Sequence, residues 1–248
     1  MIDSNILTYQ PYIDTRATVD KEFTSGFSGE LLLAEATDGK RFLVKHTFPH
    51  NAANEYVACW LAERMDILCP KAYLLSRNKR FNSRYAVALE YIDGFETFDV
   101  ASLSDTQKSD VISHYALAQI VGTSDIVQMR RAGNRLYSFD FSEGFNIYSA
   151  DIGLLMRDED AGIDTLRDRF ACFNLRSYYV DLPETADLYH IPREEMRQGL
   201  IAVGKRLLEI TEGDLHAMSA ELDELYPIEL SVYYEECIKV MQKKIARL

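Results

Sequence analysis

Apolar and polar positions follow two different rhythms along the 248-residue chain. The first 96 residues read mainly as strands. Residues 29–36 and 41–46 are apolar runs joined by the turn-forming pair Asp38-Gly39, which predicts a β-hairpin. "KAYLLS" and "RYAVALEYID" predict two further strands, the second closed by Asp93-Gly94. One helix interrupts them. It opens at Asn51 in "NAANEYVACWLAERM", where Tyr56, Val57, Trp60, Leu61 and Met65 recur at helical spacing and predict a single apolar stripe. Pro70 follows that helix.

The rest of the chain reads mainly as helices. "SLSDTQKSDVISHYALAQIVG" opens on a Ser/Asp capping signal, and a short two-strand segment is expected around residues 134–141. Further helices are expected over residues 160–173, 193–210, 213–225 and 228–247. No internal repeat, low-complexity tract or flexible linker interrupts the pattern. The expectation is an α+β protein of two lobes. Residues 1–96 would form a β-rich lobe with one main helix and residues 97–248 a mostly helical lobe, joined near residues 93–102.

Charge and cysteine content narrow the function classes. The 27 Lys and Arg against 39 Asp and Glu give a formal charge of −12, the wrong sign for a general nucleic-acid binder. "MIDSNILTYQ" does not read as a signal peptide, and no apolar run is long enough to span a bilayer, so no membrane role is expected. Cys59, Cys69, Cys172 and Cys237 are scattered without metal-ligand spacing, which reads as reduced thiols of a cytoplasmic protein. The five histidines are equally dispersed.

Four features could carry chemistry. The turn Ser25-Gly26-Phe27-Ser28-Gly29 has the small residues that let backbone amides approach an anion, although plain hairpin turns look the same. Lys45 ends an apolar strand just before the helix that carries Glu55. The two could pair over a ligand, with Glu63 as the competing carboxylate and a solvated surface pair as the bland reading. Asp125 sits in the polar turn "GTSD", where it could take a proton from a hydroxyl or simply cap the next segment. Asp140 ends the alternating run "RLYSFDF", where an Asp is unusual unless a metal ion or backbone amides receive it.

In serial order these features resemble the HipA-like kinases, bacterial relatives of eukaryotic-type protein kinases. The likeness is carried by "KRFLVKHTFPHNAANEYVACWLAERMDILCPKAYLL" and by "ALAQIVGTSDIVQMRR" running on to "LYSFDFSEGF". It implies a two-lobed protein-kinase-like fold that binds ATP and Mg²⁺. Gly26, Phe27, Ser28 and Gly29 would cover the phosphates, Lys45 would hold them, and Glu55 would orient Lys45. Glu90, Tyr91 and Ile92 would form the hinge against adenine, mainly through backbone groups. Asp125 would be the general base and Asp140 the metal ligand. The family's usual Asn, five residues after the catalytic Asp, is here Arg130; Gln128 is the nearest amide ligand and Asn134 a second candidate. Phe141-Ser142 stands where Gly is usual, and the interval from Asp125 to Asp140 leaves little room for the usual hairpin. The implied activity is γ-phosphoryl transfer to a hydroxyl, on a serine or threonine of a protein or on a small-molecule acceptor, with a regulatory partner protein a further expectation. The alternative is a catalytically degenerate module that binds a nucleotide or a partner, as in a toxin–antitoxin pair. Ser25 and Ser28 are candidate phosphorylation sites, where added charge would repel the phosphates of a nucleotide.

Overall fold

The computed structural model describes residues 1–11, 25–26, 29–76, 85–123, 127–145 and 182–247. Its N-terminal part is an antiparallel sheet in the order β1-β3-β4-β6-β5, with β2 paired to β3. The strands are β1 (Thr8–Pro11), β2 (Ser25–Gly26), β3 (Gly29–Glu35), β4 (Arg41–Thr47), β5 (Ala72–Leu74) and β6 (Tyr85–Glu90). The expected β3–β4 hairpin closes through Ala36 N–H to Lys40 C=O at 2.8 Å, and Gly39 supplies the left-handed residue at φ 82°. Strand alternation sorts the sheet's side chains onto two faces. Leu32, Ala34, Phe42, Val44, Ala86 and Ala88 pack with Leu7 and Leu75 in a small core. The opposite face carries Leu43, Lys45, Val87 and Leu89, because Leu43 pairs with Leu89 and Lys45 with Val87.

Helix α1 (Pro49–Arg64) packs on that second face. It begins at Pro49, two residues before the expected start, because proline's fixed φ suits the first helical position. The expected single apolar stripe is corrected: twelve of its sixteen residues are buried, and Ala52, Ala53, Ala58 and Ala62 have no exposed surface. The small alanines let elements approach on every side. β4, β5 and β6 pack against it, as do helices α2 (Asp105–Val121) and α5 (Glu212–Asp223). The helix ends in a Schellman motif: Ile67 N–H reaches Ala62 C=O at 2.8 Å and Asp66 takes the left-handed position at φ 53°. Arg206 then donates Nη1 to the Met65 carbonyl at 2.9 Å, closing one of the helix's open acceptors from the C-terminal half.

α2 starts with the expected cap, a capping box between Ser104 and Gln107, and ends at left-handed Gly122. The hairpin β7 (Gln128–Ala132) and β8 (Arg135–Phe139) turns at Gly133, φ 58°. It begins six residues earlier than the expected 134–141 segment. It also fits wholly between Asp125 and Asp140, so the expectation that this interval is too short is corrected. After the hairpin come α3 (Leu182–Leu188), α4 (Arg193–Lys205), a 3-10 turn (Arg206–Glu209), α5 and α6 (Ile228–Ile245). The helix expected over 160–173 lies outside the described residues, as does Cys172. Cys59 and Cys237 are buried free thiols. Among the described residues no helix is long and apolar enough to cross a membrane.

Asp66 is exposed and carries a Cβ where glycine is the favoured residue. Asp66→Gly is therefore expected to stabilise the protein by roughly 0.5–1 kcal/mol, read as a higher urea midpoint with an unchanged slope.

Candidate active site

Lys45 projects from the middle strand of the sheet into the crevice between the sheet and the β7–β8 hairpin, with 15% of its side chain exposed. Its Nζ donates to Glu55 Oε2 at 3.0 Å and to Asp140 Oδ1 at 2.9 Å. Glu55 has no exposed surface. The competing Glu63 meets Lys71 instead, at 2.8 Å on the surface. Burial alone would lower the Lys45 pKa, but the two carboxylates outweigh it and hold the ammonium above its ordinary value. Burial pushes Glu55 upward against the pull of Lys45. It pushes Asp140 the same way, but Lys45, Ser142 and Gln128 more than offset it, so Asp140 lies below the usual carboxylate range.

The turn that carries Asp140 is fastened through its backbone. Glu55 accepts the amide of Asp140 at 3.0 Å and that of Phe141 at 2.9 Å. Asn54, the preceding residue on α1, donates Nδ2 to the Ser142 carbonyl at 2.8 Å. Asp140 is thereby held at φ 71°, a left-handed conformation that costs an L-residue roughly 1–2 kcal/mol. Gln128, directly across the hairpin from Phe139, donates Nε2 to Asp140 Oδ2 at 3.0 Å. Asn134 lies in the Gly133-Asn134 turn at the other end of the hairpin. Sequence reading missed Asn54. Its signal was a polar residue beside Glu55 in a helix otherwise rich in alanine and apolar residues.

β8 is positioned by α2. Asp110 and His114, four residues apart and so on one helix face, hold the two backbone groups of Leu136. Asp110 Oδ2 accepts its amide at 2.9 Å and His114 Nε2 donates to its carbonyl at 3.0 Å. Since that carbonyl only accepts, the imidazole proton is on Nε2, and Nδ1 is left to accept from Ser138 Oγ at 2.9 Å. Ser138 Oγ in turn lies 3.2 Å from Cys69 Sγ. Burial lowers the His114 pKa to about 4 and pushes the Cys69 thiol up to about 12, so neither group titrates near neutral pH.

Beyond Lys45 the crevice becomes an apolar slot. Leu31, Leu43 and Leu89 line its sheet side and Phe95 and Phe139 its hairpin side. Glu90, Tyr91 and Ile92 form its edge. The Glu90 and Tyr91 amides are taken by Lys71 C=O (2.8 Å) and Arg41 C=O (2.9 Å), and the Glu90 carboxylate accepts the Tyr73 hydroxyl. Among the described residues nothing takes the Ile92 amide. Arg130 lines the slot too, its guanidinium 5.9 Å from the Phe139 ring centroid. Pairing with Tyr137 sets it two residues further along the hairpin from Asp140 than Gln128. Gly26 and Gly29 face each other across the β2–β3 hairpin. Phe27, Ser28 and Asp125 lie outside the described residues.

The architecture is similar to the crystal structure of a Helicobacter pylori proinflammatory kinase, CtkA, with a TM-score of 0.57 over 93% of this chain and 96% of that one. Sequence identity is 16%, so the likeness establishes a kinase-like fold and nothing finer. No family model matches the chain, and no curated protein matches it.

Three stability effects follow from this geometry. Glu55→Ala would leave Lys45 under-compensated and two amides unpaired, an expected loss of about 3–5 kcal/mol by urea unfolding. Glu63→Ala, at the surface, should lose no more than about 1 kcal/mol. His114 stays neutral in the folded state down to about pH 4, whereas an unfolded histidine binds its proton near 6.5. The unfolded state therefore binds more protons in that window, and stability falls as pH falls through it. The expected loss from His114 is about 2 kcal/mol between pH ~6.5 and pH ~5, and His114→Gln should flatten that part of the profile.

Proposed function

We propose that the chain is an ATP-dependent phosphotransferase that moves the γ-phosphoryl group to a hydroxyl, on a protein serine or threonine in preference to a small molecule. The observation that carries this reading is a largely enclosed ammonium between two carboxylates, Lys45 with Glu55 and Asp140, at the end of an apolar slot. A flat base would fill the slot between the leucines and Phe95 and Phe139. The Ile92 amide and backbone carbonyls of the edge are suited to its hydrogen-bonding rim. Lys45 would neutralise the phosphates, and Glu55 keeps it from folding back to the surface. Asp125 would accept the acceptor hydroxyl's proton.

Mg²⁺ fits the donors present. Asp140 offers a carboxylate, and Gln128, once its amide turned over from the Nε2 contact with Asp140, would offer an amide oxygen; both are hard ligands. No group of three His, Cys, Asp or Glu side chains is gathered among the described residues, so nucleotide phosphates would complete the shell, as is usual for this ion. Bound there, the ion would spread the charge that develops on the transferring group. The Gly26–Gly29 turn would close over the phosphates from the β2–β3 hairpin.

The competing reading is a nucleotide- or partner-binding module without turnover. It draws on Gln128, a neutral amide, as the candidate second metal ligand beside Asp140, and on Arg130 facing the slot. Calorimetry with ATP, with and without Mg²⁺, followed by a phosphotransfer assay on protein acceptors separates the two. On the phosphotransfer reading Asp125→Ala keeps its ATP affinity and loses about 10²–10⁴-fold in rate. ATP binding with equal, background-level transfer by wild type and Asp125→Ala would establish the binding module instead.

A further inference from the structure

A buried polar chain runs from α6 through α1 to the turn bearing Asp140. Tyr234 on α6, with no exposed surface, donates its hydroxyl to Asn54 Oδ1 at 2.6 Å. Asn54, equally buried, donates Nδ2 to the Ser142 carbonyl at 2.8 Å. The amide's orientation follows from its partners: a carbonyl only accepts, so the NH₂ faces Ser142 and the oxygen is left for the phenol. The far end of the turn is held from the same helix. Tyr233 donates its hydroxyl to the Phe145 carbonyl at 2.7 Å, and the Tyr234 ring stands edge-on to Phe145, 5.0 Å between centroids.

These contacts restrain the Asp140 turn differently from the ones made by its carboxylate. Lys45 and Gln128 hold the carboxylate through its own oxygens. A cation that claims those oxygens leaves the aiming of the side chain to the backbone alone. Helix α1 fixes that backbone at three points: the amides of residues 140 and 141 on Glu55, and the carbonyl of residue 142 on Asn54. Losing the third frees the Ser142 peptide to rotate and lets the left-handed residue two positions earlier relax.

We propose that Asn54 and Tyr234 are positioning residues, through which helix α6 sets the aim of the Asp140 carboxylate toward a phosphate-bound divalent cation. The cation's identity rests on the phosphotransfer reading; the restraint on the turn does not. Neither residue touches a reacting group.

The test compares wild type with Tyr234→Phe, which keeps the ring and removes one hydroxyl, and with Asn54→Ala. One arm measures amide hydrogen exchange at residues 140 and 141 in the protein alone. The other measures calorimetric binding of the ATP analogue AMP-PNP, without metal and over a Mg²⁺ series. In both variants exchange at the turn should be about tenfold faster. Metal-free affinity should hold, while the Mg²⁺ needed for half-saturation rises about tenfold, the usual effect of losing a partner behind a metal ligand. Wild-type exchange in both variants overturns the proposal, and so does an equal loss of affinity with and without Mg²⁺. If wild type binds no AMP-PNP, the phosphotransfer reading falls. Faster exchange then still supports the restraint, and unchanged exchange still overturns it.

Discussion

Taking a carboxylate out of water costs several kcal/mol unless both its oxygens are hydrogen-bonded and a cation stands close. Glu55 meets both conditions: it receives the Lys45 ammonium and the amides of Asp140 and Phe141. Those donors come from a strand of the sheet and from the turn after β8, and the acceptor comes from the helix between them. The requirement to satisfy one buried charge thus fixes three elements relative to one another. The convergence of Lys45 and Asp140 on a single crevice follows from it, and no individual bond has to be strong for this to hold. What makes the arrangement rigid is that removing any partner leaves the others buried and unpaired.

The helix that supplies Glu55 has almost no freedom of its own. Arg206 closes the Met65 carbonyl at its C-terminal end, Arg64 is paired with Asp214 on α5, and Tyr226 donates to the Pro49 carbonyl near its start. With twelve residues buried, an outward swing of α1 would expose alanines and valine that now touch neighbours on all sides, and would break Asn54 from Tyr234. α1 therefore belongs to the fixed frame of the molecule, packed on the sheet and tied to the C-terminal helices as well.

Much of this was legible in the sequence because it was local. Turn residues and alternating runs marked β3, β4 and β6, the Ser/Asp capping signal marked α2, and the serial order of Lys45, Glu55 and Asp140 gave the site its candidates. What escaped was set by partners distant in the chain. Nothing in "NAANEYVACWLAER" says that the polar face of α1 is covered, since the covering helices begin about 150 residues later. Strand β1 was missed because its four residues include a proline and pair only at the sheet's edge. Arg130 was weighed by its distance along the chain from Asp125. The quantity that matters is register across the hairpin, and that puts Gln128 beside Asp140 and Arg130 further off.

The fastening of β8 and its turn uses side chains that bond to backbone groups. Asp110 and His114 hold Leu136, Glu55 holds residues 140 and 141, and Asn54 holds residue 142. A backbone group is the same whatever side chain it carries, so the turn's own sequence is lightly constrained. Ser142 shows the consequence. A glycine is usual there in the family the sequence resembles. Here the left-handed residues of the segment are Asp140 and Phe145, not residue 142, so a serine enters without backbone strain. Its hydroxyl, 3.4 Å from Asp140 Oδ1, adds one more weak restraint on the same carboxylate. Phe145 pays for its own left-handed φ with the bond from its amide to Val121 C=O and with the ring contact to Tyr234. The departure at residue 142 is therefore absorbed by a frame built from α1, α2 and α6, and it leaves the meeting of Lys45 with Asp140 intact.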